Sequence, residues 1–217
     1  MKRLSLIFLV ITGLGLTACH SESLAADRLP WVSDAPVLYK DDFSHTSGGW
    51  STHSDSSSYS GYDQNGFLLS TEIPNYQFWS VPGLHFQDVL IHTKAMKLDG
   101  PENNLFGVIC RYQDPRHFYA LVIGSDGYYG IFKMINGHFD LIERPAMDFS
   151  AMIHPGAEMN EIHGLCQGER LVLIVNGVKL IEVQDTSLAT GDVGLIAGNL
   201  DDPGISVLFD NFIVAKP

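Results

Sequence analysis

The sequence is short of charge, of cysteine and of long apolar runs. Charged residues make up 18% of its 217 positions, below the usual quarter. Only 13 of them are basic against 25 acidic, for a net charge of −12, and the missing basic face excludes a nucleic acid as partner. Hydrophobic residues at 45% and aromatics at 11% exclude a disordered chain. What remains is a folded acidic protein, able to bind a neutral ligand, a cation or another protein.

The one extended apolar run lies at the start of the chain. Lys2 and Arg3 precede it, and residues 4–16 are apolar except for Ser5, Thr12 and two glycines. The run is shorter than the roughly 20 residues needed to span a bilayer. A short basic region followed by such a run is typical of a secretory signal.

The residues that end this run carry a more specific motif. Leu16, Thr17, Ala18 and Cys19 resemble, position by position, the lipobox of bacterial lipoproteins. That resemblance implies cleavage before Cys19, acylation of its thiol and anchoring in a membrane of the cell envelope. Because His20 stands where an Asp would mark inner-membrane retention, the outer membrane is favoured in a Gram-negative host. The alternative is an ordinary signal peptide with a chance cysteine.

These signals divide the chain into three parts. Residues 1–18 are predicted to be the lipoprotein signal peptide, residues 19–36 a flexible tether, and residues 37–217 a single domain. Removal of the signal takes away two basic residues and no acid. The mature chain then has 11 basic and 25 acidic residues, a net charge of −14.

The rest of the sequence reads as short β-strands separated by turn signals such as Asn-Gly and Asp-Gly. No segment sustains a helical period, although one helical turn is expected near Ala151. The serine-rich segment 51–60 is expected to be a mobile loop, which forms either a ligand rim or a loop without function. Strands are predicted near residues 37–43, 66–71, 76–81, 86–98, 104–113, 116–124, 127–135, 138–143, 160–167, 170–176, 178–184, 192–198 and 205–214.

An ordered set of strings carries a second resemblance. They are DDFS at 41–44, GGW at 48–50, FGVICRYQD at 106–114, DGYY at 126–129, LIVNG at 173–177, GDVGL at 191–195 and LFDNFIV at 208–214. Together they resemble the concanavalin A-like lectin and glucanase superfamily, and within it the laminin-G-like and 3-keto-disaccharide hydrolase-like modules. The resemblance implies an all-β fold, a two-sheet antiparallel jelly-roll β-sandwich whose first and last strands are adjacent.

The same resemblance implies a cofactor. Several members of the superfamily hold a structural calcium ion between the first and last strands, where Asp42 and Asp210 match. A carbonyl near Gly48 would complete the set, since calcium takes six to eight oxygen ligands. The alternative is that both carboxylates accept hydrogen bonds from loop amides.

Two of the three cysteines are left after lipidation of Cys19. Cys110 and Cys166 both lie late in predicted strands, and the expected compartment is oxidising. They form either a disulfide, which we expect, or two buried thiols. No spacing of His and Cys resembles a zinc site.

Motifs for catalysis are absent. The paired-carboxylate string of the superfamily's glucanases does not occur, nor does a Gly-x-Ser-x-Gly elbow. The sequence therefore favours a non-enzymatic protein and leaves catalysis open, because the resemblance still implies a hydrolase of a modified (3-keto) sugar as an alternative.

A ligand-binding face is the preferred function. Aromatic platforms with polar neighbours bind sugars, and Trp50, Tyr59, Tyr62 and Tyr76 lie beside polar loops. The residues predicted to contact ligand are Arg111, Tyr119, Tyr129, Lys133 and Trp79. The sequence thus predicts an envelope lipoprotein that displays a lectin-like sandwich and binds glycan or another envelope ligand. A hydrolase, or a structural module that binds envelope proteins, is the alternative.

Overall fold

The structure is a computed structural model, which describes residues 35–63 and 66–217. The lipidation site and the signal peptide lie outside these residues, as does almost all of the tether. No helix long and apolar enough to cross a membrane occurs in the part of the chain described.

The described residues form sixteen β-strands. They are β1 (Val37–Asp41), β2 (His53–Ser54), β3 (Ser58–Asp63), β4 (Gly66–Thr71), β5 (Gln77–Ser80), β6 (Val89–Asp99), β7 (Asn104–Asp114), β8 (His117–Ile123), β9 (Tyr128–Ile135), β10 (His138–Leu141), β11 (Asp148–Phe149), β12 (Asn160–Gln167), β13 (Arg170–Val175), β14 (Val178–Gln184), β15 (Asp192–Asn199) and β16 (Ile205–Ala215).

The strands build two antiparallel sheets. Sheet A has the order β14-β13-β12-β6-β16-β4-β3-β2, and β1 also pairs with β16. Sheet B has the order β10-β9-β8-β7-β15-β5, and β11 also pairs with β9. The first and last strands are therefore adjacent, as expected.

The hydrophobic core lies between the sheets, because alternate residues of each strand point inward. Phe67 and Phe209 from sheet A and Phe106 and Leu121 from sheet B are fully buried in one cluster. Each such side chain contributes about 1.5–3 kcal/mol through its removal from water. A second apolar cluster, centred on Phe118, covers the outer face of sheet B.

A disulfide joins the two sheets. Cys110 of β7 and Cys166 of β12 have their sulfurs 2.00 Å apart, and both residues are fully buried in the main core. Of the two alternatives that the sequence left, the structure contains the bonded pair.

Two local expectations were wrong. The serine-rich segment is not a loop throughout, because β2 and β3 form a hairpin at the edge of sheet A. Ser58 donates or accepts a hydrogen bond with Thr71 of β4 at 3.0 Å, so a small hydroxyl residue takes a buried position usually held by an apolar one. Near Ala151 the chain makes a turn and no helix.

Candidate functional site

Arg111, the first residue predicted to bind ligand, is buried and engaged within the protein. Strict alternation puts its side chain with Ile109 on the outer face of sheet B. The strand bulges there instead, with a register shift after Cys110 and a φ of 53° at Arg111. The guanidinium consequently points inward, donates to the carbonyls of Leu188 at 2.8 Å and Gly168 at 2.7 Å, and lies over the Tyr119 ring.

Tyr119 and Lys133 belong to a second internal network, centred on Asp185. The Tyr119 hydroxyl donates to Asp185 Oδ1 at 2.6 Å, and the Lys133 ammonium donates to Oδ2 at 2.6 Å. Burial, followed by this bond to Asp185, raises the pKa of Tyr119 to about 12. Tyr129 is buried as well, and its hydroxyl donates to the Leu180 carbonyl at 3.3 Å.

Trp79 lies on another surface. Its ring packs 5.1 Å from the Phe118 ring, within the apolar cluster outside sheet B. The five predicted residues therefore do not form one ligand-binding face. Four of them make hydrogen bonds within the protein, namely Arg111, Tyr119, Tyr129 and Lys133. Trp79 packs on the outer face of sheet B. The sequence signal misled because a buried Arg or Tyr satisfies its polar atoms with carbonyls that no sequence pattern reveals.

Each of the three residues predicted to hold calcium makes a hydrogen bond within the protein. Asp42 is exposed, and its Oδ1 accepts from the Ser44 amide and hydroxyl. The Gly48 carbonyl accepts from the Tyr39 hydroxyl at 2.7 Å. The Asp210 carboxylate accepts from the Asn211 side-chain amide at 2.6 Å, and its strand register pairs it with Lys94. These contacts match the alternative of local hydrogen bonding, and calcium binding stays a prediction.

A polar cleft opens beside the β2–β3 hairpin, which is the segment that the sequence marked as a ligand rim. Its volume is about 610 Å³. Its described lining consists of hydroxyl groups, aromatic or imidazole rings, and glycine: Thr46, Gly49, Trp50, Thr52, His53, Ser54, Tyr59, Ser60, Gly61 and Tyr62. We call it the serine cleft.

An aromatic cluster forms the floor of the serine cleft. Trp50 and Tyr62 pack against Phe67 with ring centroids 5.3 Å away in each case, and Phe43 lies 5.4 Å from Trp50. Phe43 has a φ of 56°, which is unfavourable for a bulky residue and persists only where its surroundings hold it. The packing around Phe43 therefore holds this backbone conformation, which is compatible with a preformed binding site.

Asp41 holds this floor in place. Its Oδ1 accepts from the Phe43 amide at 2.8 Å, and its Oδ2 accepts from Trp50 Nε1 at 3.1 Å. Of the two aspartates at the end of β1, Asp41 is thus the one that organises the site, and it was missed by sequence reasoning. The signal was present: Asp41 shares the inward face of β1 with Tyr39.

The rim of the serine cleft carries the groups nearest solvent. Thr46, Thr52 and Ser54 are exposed, and His53 Nε2 lies 2.9 Å from Asp55 Oδ2. Hydrogen bonds from the Ser57 amide, from His53 and from the Ser58 amide hold the pKa of Asp55 below its usual range. The rim therefore presents hydroxyls and an imidazole that is hydrogen-bonded to a carboxylate.

Tyr59 is the ring best placed to meet a ligand. It is half-buried, and its hydroxyl donates to the Tyr62 carbonyl at 3.4 Å. Gly61 makes room for it, because a Cβ there would come within 2.7 Å of the Tyr59 hydroxyl. A ring edged by hydroxyls can stack on the apolar face of a sugar while its neighbours bond the sugar hydroxyls.

Comparison with known proteins supports the fold. No family model matches the chain, and no curated protein matches it. Among solved structures, it is similar to the carbohydrate-binding module CBM66 from Bacillus subtilis, with a TM-score of 0.62 and 16% identity over 77% of this chain and 96% of that one. A protein of unknown function with a galectin-like fold from Bacillus subtilis has a TM-score of 0.61 and 13% identity over 84% of this chain and 96% of that one. A Bacillus licheniformis β-glucanase has a TM-score of 0.60 and 10% identity over 85% of this chain and 100% of that one.

At these identities the likeness is one of fold. Together with the two antiparallel sheets, it shows that the described chain is a jelly-roll β-sandwich of the concanavalin A-like class. The fold class predicted from the sequence is confirmed.

Proposed function

We propose that this protein binds a neutral glycan in the serine cleft. The observation that carries the proposal is the lining: hydroxyls and aromatic rings surround a cleft of about 610 Å³, and none of its ten described lining residues is Asp or Glu. A neutral polyol needs such donors, acceptors and ring faces, and it needs no countercharge. The fold likeness to a carbohydrate-binding module supports the same ligand class.

The same lining favours binding over hydrolysis. Glycoside cleavage uses two carboxyl groups, about 5–10 Å apart, one to protonate the leaving group and one to attack or activate water. The nearest acids, Asp41 and Asp55, are engaged by Trp50 and by His53 respectively. The likeness to a β-glucanase therefore extends to the sandwich, and we do not propose its activity for this chain.

A glycan panel tests this proposal. We expect at least one neutral oligosaccharide to raise the melting temperature of the purified chain without being converted to product. Tyr59→Ala should weaken its binding about tenfold, since an aromatic face contact contributes about 1 kcal/mol and a polar partner is lost with it.

Tyr128→Ala is the matched control. Tyr128 is an exposed tyrosine on β9 that packs against Phe149, outside the lining of the cleft. Equal loss of affinity in both variants would contradict binding at the serine cleft, and a panel without any stabilising sugar would contradict glycan binding itself.

We further propose that the sandwich is displayed on the cell envelope through acylated Cys19, with residues 19–36 as the tether. The lipobox supports this proposal. Labelled palmitate should enter the wild-type chain and not the Cys19→Ala variant, and that variant should leave the membrane fraction. Retention of unlabelled Cys19→Ala protein in membranes would contradict the anchor.

A further inference from the structure

A cluster of two histidines and a glutamate lies on the outer face of sheet A, away from the serine cleft. His92 of β6 and His163 of β12 are direct partners in the strand register. Glu161 precedes His163 by two residues, so it shares the same face. The other face of both strands enters the main core through residues such as Ile91 and Ile162. No local pattern predicts this cluster, because the two histidines are far apart along the chain.

The three side chains are close enough to share one ion. His92 Nε2 lies 2.8 Å from Glu161 Oε1, and the two imidazole centroids are 4.6 Å apart. One ligand atom from each residue can be chosen so that all three lie within 4.8 Å of one another. Ligands of a tetrahedral zinc ion lie roughly 3.4 Å apart, which small side-chain rotations reach.

The burial of the cluster is a second, independent observation. His92 and His163 are 8% and 4% exposed, whereas the Glu161 side chain is 45% exposed. Apolar residues of sheet A, among them Leu90 and Leu165, form a small buried cluster on the same face. Nδ1 of His92 is buried and has no hydrogen-bond partner among the described residues. A buried imidazole with such an atom calls for a role beyond packing.

We propose that His92, Glu161 and His163 bind a divalent transition-metal ion of the zinc class. Two imidazoles and one carboxylate are the protein ligands of known zinc sites that keep one position open. The open position would lie on the solvent side, beside Glu161. Calcium takes six to eight oxygen ligands, so this donor set selects against it.

Calorimetric titration of the full chain with zinc chloride tests the site. The chain is prepared without a polyhistidine tag and dialysed from chelator, because a tag would bind the same ions. We expect one zinc ion per chain at this site, and an excess of calcium chloride should not displace it. Cobalt(II) bound in place of zinc should give the strong visible absorption that is typical of a four-coordinate site.

Three variants locate the ion. Glu161→Gln and His92→Gln should each weaken zinc binding at least tenfold, whereas His138→Gln, which changes an exposed histidine of β10, should leave it unchanged. Glu161→Gln alters the most exposed member of the cluster, and its melting temperature in chelator reports whether the fold is intact. Absence of zinc binding, or wild-type affinity in a folded Glu161→Gln variant, would overturn the proposal. The titration is independent of any sugar, so it stands apart from the glycan experiment.

Discussion

At the scale of single residues, buried polar side chains connect separate parts of the chain through hydrogen bonds. Arg111 donates to carbonyls of two loops. The Asp185 carboxylate accepts from Tyr119, Lys133 and the Ser187 amide. Removing one partner of such a network leaves a desolvated polar atom, which costs about 1–3 kcal/mol. These residues therefore matter for stability, although their types first suggested ligand contacts.

Asp185 should give the molecule an acid-sensitive stability. Burial alone would raise its pKa, but hydrogen bonds from Lys133, Ser187 and Tyr119 outweigh burial and hold the pKa well below the usual range. As the pH falls, the unfolded chain therefore takes up this proton first. The contribution of Asp185 is complete above roughly pH 5 and is lost progressively below it.

Urea unfolding between pH 7 and pH 2 measures this contribution. Asp185→Asn should lower the free energy of unfolding at pH 7 and flatten its decline below pH 5. Asp140→Asn, a change in an exposed carboxylate of β10, serves as the control. An acid decline in Asp185→Asn as steep as in the wild type would contradict the role assigned to this network.

At the scale of elements, alternation and turn dipeptides predicted most strands, since period-2 patterns and Asn-Gly turns are local signals. The two-residue strands β2 and β11 are too short to leave a pattern. Strand β3 was missed because two of its inward positions are Ser58 and Ser60, and serine is typical of loops. The bulge at Arg111 turned its side chain from the outer face of sheet B, where alternation placed it, to the inner face. Pairing across a bulge depends on the neighbouring strand, which sequence alone does not show.

The disulfide between β7 and β12 should account for much of the stability of the sandwich. The bond closes a loop with a sequence separation of 56 residues. In the chain-entropy account, opening it costs about 4 kcal/mol. We expect the Cys110→Ala/Cys166→Ala double variant to have a lower denaturation midpoint, and reductant to bring the wild type towards the same value. A reductant effect on the double variant of the same size would show that the loss arises elsewhere.

At the scale of the whole molecule, the sequence predicted the jelly roll. For the candidate site it indicated one chain segment and not the side chains that meet there. From its composition, segment 51–60 was expected to be either a ligand rim or a loop without function, and five of its residues line the serine cleft. Asp41 and the His92–His163 pair were not foreseen, because contacts between distant strands decide which side chains meet. Binding sites built across a sheet are for this reason less visible in sequence than the sheet itself.

The acidity of the chain predicts how it behaves near a membrane without its anchor. The chain from residue 19 has 11 basic and 25 acidic residues, and its net charge of −14 gives no electrostatic attraction to anionic lipid. That chain with Cys19→Ala and without residues 1–18 should therefore not float with vesicles of either neutral or anionic lipid, at low or at physiological salt. Flotation with anionic vesicles would reveal a basic lipid-binding surface that the overall charge conceals.

The position of β16 has a consequence for how the protein is made. This last strand lies inside sheet A, between β6 and β4, and it also pairs with β1. Sheet A therefore cannot be completed until β16 has been synthesised. For the export proposed above this order is an advantage, because the pairing that completes sheet A waits for one of the last strands to emerge.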